Sequence, residues 1–123
     1  MANEISLSTN FSVRKDFLAT NRSTSRSFNL NAASPAKAAG IASIGTSAHE
    51  ALPMGDVSTA GWARFENLDA TNYVQVGVDS SGTFIPFLKL KPGEFHICRL
   101  ATNAPYAKAN TAAVKLDYEI YDD

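Results

Sequence analysis

The sequence predicts an all-β protein, either an antiparallel β-sandwich or a small jelly roll, with an extended N-terminal arm. Apolar residues alternate with polar ones along several segments, which is the period of a half-buried strand. Tight-turn sequences separate those segments. No segment reads as a helix long enough for the crossover that a parallel sheet requires. Counting segments predicts seven to nine strands in one domain, with residues 1–31 as a β arm or hairpin and residues 32–123 as the body.

The arm opens with Ile5, Leu7, Phe11 and Val13 on odd positions and mainly serine, asparagine and arginine between them. Residues 21–27 are almost wholly polar and read as a loose tip, after which Phe28 and Leu30 give a second, shorter alternation. Residues 34–44 are rich in alanine. Ser34-Pro35 is an acceptable helix start and Gly40 and Gly45 keep the segment short, so one helical turn or an irregular connector is expected. A strand over residues 46–52 and a loop at residues 53–56 should follow.

Trp62 and Phe65 lie in the next strand, and residues 67–72 form a turn rich in side chains that bond their own backbone. Val74, Val76 and Val78 then share one face. Asp79-Ser80-Ser81-Gly82 reads as a hairpin turn with Gly82 at positive φ. Phe84, Leu88 and Leu90 share a parity, and Pro86 among them places this strand at an edge or a bulge, since proline has no amide hydrogen for the ladder. Lys91-Pro92-Gly93-Glu94 suits a type II turn. Phe95 and Ile97 alternate after it, residues 101–113 read as a loop, and Val114, Leu116, Tyr118 and Ile120 form one face of the last strand.

Composition bounds the function. The chain has 123 residues and is 45% hydrophobic, but 19 residues are alanine and only 36 are larger apolar ones, so the core is modest. Alanine, serine, threonine and asparagine account for 49 residues, a small and mildly polar set suited to lying against neighbours. No apolar run approaches the ~18–20 residues of a spanning helix, and the first residues lack the basic and apolar regions of a signal peptide, so a soluble protein made in the cytoplasm is expected. A single cysteine, Cys98, leaves no internal disulfide. The net charge of -1 gives no field for nucleic acid or anionic lipid. The charge is nonetheless uneven, at +3 over residues 1–40 and -4 over the remainder.

Catalytic patterns are sparse, and no enzymatic activity, metal or cofactor is expected. His49 and His96 are the only histidines. Pro92-Gly93-Glu94-Phe95-His96 resembles the second motif of the cupins, but the first motif has no counterpart and two histidines cannot make a three-histidine site. No Gly-x-Ser-x-Gly elbow or phosphate-binding glycine cluster occurs. Arg14, Lys15, Arg22 and Arg26, interleaved with Phe11, Phe17 and Phe28, make a basic and aromatic strip too thin to favour nucleic acid. Trp62 with Tyr73 or Tyr106 would form a ligand platform for carbohydrate, since each presents a flat ring.

The run of residues 61–77, Gly-Trp-Ala-Arg-Phe-Glu-Asn-Leu-Asp-Ala-Thr-Asn-Tyr-Val-Gln-Val-Gly, and the run 82–94, Gly-Thr-Phe-Ile-Pro-Phe-Leu-Lys-Leu-Lys-Pro-Gly-Glu, preceded by the stretch 50–57, resemble small β-rich virion structural proteins of tailed bacteriophages. Capsid decoration proteins and minor head or tail components belong to that group. The likeness spans roughly residues 46–120 and carries no catalytic motif. It implies a non-enzymatic homo-oligomer that docks onto other virion proteins such as the major capsid or tail subunits. Head decoration or a minor capsid role comes first, and a tail or connector protein or a receptor-binding module stands as the alternative. The expected subunit contacts are Ile5, Leu7, Phe11, Val13, Arg14, Lys15, Arg22 and Arg26 on the basic arm. Their counterparts are Asp117, Glu119, Asp122 and Asp123 at the acidic end, where opposite charge would set register. The alternating arm itself can add a strand to a neighbour's sheet edge.

Overall fold

The computed structural model describes residues 4–123, which form ten strands and no helix. The chain divides into two units, residues 1–33 and residues 34–123.

The first unit is a β-hairpin. Strands β1 (Ile5–Lys15) and β2 (Leu18–Phe28) pair antiparallel in unbroken register from Ile5 opposite Phe28 to Lys15 opposite Leu18. Asp16 and Phe17 make a two-residue turn, with Asp16 at φ +51°, a conformation that aspartate tolerates better than most residues. The loose tip expected at residues 21–27 is therefore strand. Serine and asparagine favour turns in isolation, but pairing with the alternating β1 gives their backbone a continuous ladder, and context outweighs propensity.

The second unit contains β3 (Lys37–Ile44), β4 (Glu50–Ala51), β5 (Ala60–Asn67), β6 (Val74–Ser80), β7 (Thr83–Leu90), β8 (Phe95–Arg99), β9 (Tyr106–Ala109) and β10 (Val114–Asp122). First pairs with last throughout: β3 with β10, β4 with β9, β5 with β8 and β6 with β7, all antiparallel. This unit is thus one long nested hairpin, bent over into two four-stranded sheets of order β3-β10-β5-β8 and β4-β9-β6-β7. This is the strand order of a jelly roll, the compact form of the predicted sandwich. No helix among the described residues is long and apolar enough to cross a membrane.

The core between the sheets includes Phe65, Val74, Val76, Val114, Leu116 and Ile120, all fully buried. Alanine contributes more than a loop-filling role. Ala38, Ala60, Ala63, Ala107 and Ala109 are buried in the same core, where small side chains let the strands pack closely. The turns follow their chemistry. Ser81 and Gly82 take φ +52° and +87°, both positive as a type I′ turn requires, and Glu94 N–H donates to the Lys91 carbonyl at 3.0 Å with Gly93 at φ +78°. Pro86 lies in the edge strand β7, opposite a register shift between Val76 and Gly77, so edge and bulge coincide.

Five local readings change. Residues 37–44 form strand β3 rather than a helical turn or connector, because β10 offers eight paired positions beside it and Ala38 and Ile44 are buried in the core. The strand expected over residues 46–52 shrinks to β4, and residues 106–109 of the expected loop form β9, bringing the total to ten strands. The bulge at Val76/Gly77 reverses parity in β7, so Leu88 and Leu90 face the core while Phe84 faces outward. In β8, His96 and Cys98 stand opposite buried Phe65 and Ala63, which turns Phe95 and Ile97 to the outer face, with Phe95 beneath the Arg64 guanidinium.

Candidate functional site

The hairpin presents two chemically different faces. Residues directly opposite each other in an antiparallel pair share a face. One face therefore carries Ile5 with Phe28, Leu7 with Arg26, Phe11 with Arg22, Val13 with Thr20, and Lys15 with Leu18. The other carries Ser6 with Ser27, Ser8 with Ser25, Asn10 with Ser23, Ser12 with Asn21, and Arg14 with Ala19. Across this second face the Ser23 hydroxyl donates to Asn10 Oδ1 at 3.3 Å. Nearly every apolar side chain and three of the four basic ones thus occupy one side of the ribbon. Phe11 is 64% exposed, Leu18 is 54% exposed, and Phe17 in the turn is 93% exposed. Each strand has one partner in a two-stranded sheet, so among the described residues no third strand pairs with the outer edge of either. Of the arm residues named from sequence, all but Arg14 fall on the apolar face.

The acidic residues of β10, and Asp123 just after it, are engaged within the body. Asp122 is 8% exposed, and its Oδ1 accepts from the backbone N–H groups of Thr59 at 2.9 Å and Ser58 at 3.0 Å and from the Ser58 hydroxyl at 3.3 Å. Those bonds, led by the Thr59 amide, hold its carboxyl below the ordinary range against the opposing effect of burial. Asp123 pairs with Arg99 at 2.8 Å, Asp117 lies 3.8 Å from Arg64, and Glu119 accepts from the Tyr121 hydroxyl at 3.3 Å. Asp117 and Glu119 retain partial exposure.

The rings singled out as a ligand platform are divided between two faces. Trp62, on β5, points to the outside of the β3-β10-β5-β8 sheet, half-buried beneath the Arg99 guanidinium at 5.7 Å. On the other sheet Tyr73, just before β6, lines an open trough, and Tyr106, on β9, stands beside it on the same outer face, opposite Gly77. Alternation places them there, since buried Ala107 and Ala109 turn Tyr106 and Lys108 outward, and buried Val74 and Val76 turn Gln75 outward.

His49 closes one side of that trough. With the carboxylate ionised, its Nε2–H donates to Asp79 Oδ1 at 2.6 Å. Its ring stacks on Phe84 with centroids 5.5 Å apart and tilts against Tyr106 at 5.2 Å. The bond from His49, with a second from the Gly82 N–H, holds the Asp79 carboxyl below its usual range. At the other side the Lys89 ammonium sits 4.1 Å from the centre of the Tyr73 ring. The roles of Phe84, Gln75 and Lys108 were not read from sequence. The alternation of β6 signals Gln75 and Pro86 signals an edge or a bulge, but the change of parity that exposes Phe84 is visible only in the pairing.

Cys98 packs against the core, and burial pushes its thiol up, away from the thiolate that nucleophilic attack needs. Among the described residues no three histidine, cysteine or carboxylate side chains cluster as a metal site. The chain matches no protein-family model, no curated protein and no solved structure.

Proposed function

We propose that this protein is a non-enzymatic structural subunit of a bacteriophage virion, a head decoration or minor capsid protein that self-associates through its N-terminal ribbon and docks onto capsid subunits. The observation that carries the reading is the two-faced hairpin. An isolated two-stranded hairpin is marginally stable in water, and this one presents Phe11, Val13 and Leu18 to solvent along one face. A ribbon of that kind gains stability by covering its apolar face and pairing an edge, and a neighbouring subunit supplies both. Lys15, Arg22 and Arg26 on the same face steer it toward acidic surface. The resemblance of residues 46–120 to virion structural proteins supports the location.

Among the described residues the buried core lies wholly within residues 34–123, so these residues are expected to fold without the arm. The test compares the full chain with residues 34–123 by light scattering and by incorporation into capsids assembled in vitro. The full chain should form a discrete oligomer and join particles, and the truncated body should be a folded monomer that does not. A full chain that stays monomeric and unbound, or a truncated body that assembles equally well, contradicts the proposal.

A further inference from the structure

We propose that the outer face of the β4-β9-β6-β7 sheet is a binding site for a neutral oligosaccharide. The trough there has a volume of about 780 Å³, within the range of small-molecule sites. Pairing arranges its side chains in rows across the strands. Lys108, Gln75 and Lys89 form one row, Tyr106, Gly77 and Pro86 the next, and Asp79 and Phe84, with His49 beside them, the third. Successive rows are two residues apart, about 7 Å, the scale of one hexose.

The middle row is necessarily low. A Cβ at Gly77 would overlap the Ile85 carbonyl and come within 2.7 Å of Pro86 Cα, so no side chain can be built there. What remains is the flat ring of Pro86 and the Tyr106 ring, beside the aromatic wall of His49 and Phe84. Such surfaces suit the C–H face of a pyranose. The polar groups around them both donate and accept: the Gln75 amide on the first row, Asn110, and the hydroxyls of Thr46, Ser47 and Thr83 at the rim. That mixture suits sugar hydroxyls, which also do both.

Charge selects the class. The Asp79 carboxylate is occupied by His49 and the Gly82 amide, which leaves it poorly placed for a cationic ligand. Lys89 lies over Tyr73, so Lys108 is the main cation facing the trough, too little for a polyanion. The wall is also rigid before any ligand arrives. The short His49–Asp79 bond and the ring stack hold it, and Gln75, Pro86 and Lys108 lie on paired strands, so little ordering cost opposes binding at these positions.

The test titrates the full chain with neutral trisaccharides of glucose, galactose and N-acetylglucosamine at millimolar concentration, followed by amide NMR shifts. At least one should shift Gln75, Tyr106 and Lys108. Tyr106→Ala and Gln75→Leu should each weaken that binding about tenfold, the scale of one lost ring contact or hydrogen bond. Trp62→Phe, on the opposite sheet, should bind as the parent does. Gln75→Leu changes a strand position at the surface and preserves the test if Tyr106→Ala fails to fold. No shift with any of the three sugars, shifts that centre on Trp62 and Arg99, or binding unchanged by the trough substitutions would overturn the proposal.

Discussion

Asn67 on β5 reaches across the sandwich to Leu90 on β7, its Nδ2 donating to the Leu90 carbonyl at 3.0 Å from a fully buried position. The same amide donates to the Asn72 carbonyl at 2.9 Å, and its Oδ1 accepts from the Asp69 N–H at 2.8 Å. One side chain thus joins the two sheets and shapes the loop between β5 and β6. Asn67→Ala leaves those backbone groups without their partner and should cost about 3 kcal/mol in urea denaturation. A loss below about 1 kcal/mol would show that water replaces the amide.

Gly77 and Gly82 separate two reasons for glycine. At Gly77 an added methyl meets the backbone of β7, which cannot swing aside, so Gly77→Ala should destabilise the body by about 3 kcal/mol or more. At Gly82 the space is open and only the positive φ opposes a side chain, so Gly82→Ala should cost about 1 kcal/mol. Equal costs would remove the argument that the bulge holds the two strands in close contact.

Acid sensitivity should concentrate on Asp122. Its folded-state carboxyl lies below the ordinary range, chiefly through the Thr59 amide, so the unfolded chain binds the proton more readily. The stabilisation is fully present above about pH 4 and is lost as pH falls through the lower native value. Asp69, held down by the Asn72 and Thr71 amides, and Asp79 act in the same direction. Asp122→Asn retains an acceptor oxygen but not the charge, so its Tm should fall less steeply than the parent's on acidification below pH 4. Parallel curves would assign the acid response to other carboxylates.

The His49–Asp79 bond should be readable from the carboxylate. His49→Phe keeps a ring between Phe84 and Tyr106 but removes the donor that does most to hold Asp79 down. Carbon-detected NMR titration should then find Asp79 closer to an ordinary carboxylate, still lowered in part by the Gly82 amide. An unchanged Asp79 titration would mean that the turn alone sets its acidity.

Alternation in β6 and β10 was legible because the two-residue period is a property of the strand itself, and Val74, Val76, Val114, Leu116 and Ile120 are buried as their spacing predicts. The turns at Ser81-Gly82 and Pro92-Gly93 were legible for the same reason, since positive φ is a local demand that glycine meets. The alanine-rich β3 was not, because alanine favours strand weakly and β10 supplies the burial that decides it. Likewise the serine-rich β2 became strand through its register with β1.

The binding surfaces divide along the same line. The odd-numbered apolar residues of β1 marked one side of the arm from the sequence alone. That Phe28, Arg26, Arg22 and Leu18 join them on that side depends on a turn at Asp16-Phe17, which only the pairing reveals. The trough assembles His49, Lys108, Phe84 and Gln75 from four separate segments, and the register shift in β7 aims Phe84 at it. The sequence by itself determined which segments are strands with one buried face and where their tightest turns fall, because both follow from dihedral preference and burial along the chain. The tertiary structure alone decided which strands are neighbours and which outward side chains meet, because those depend on pairings between residues distant in sequence.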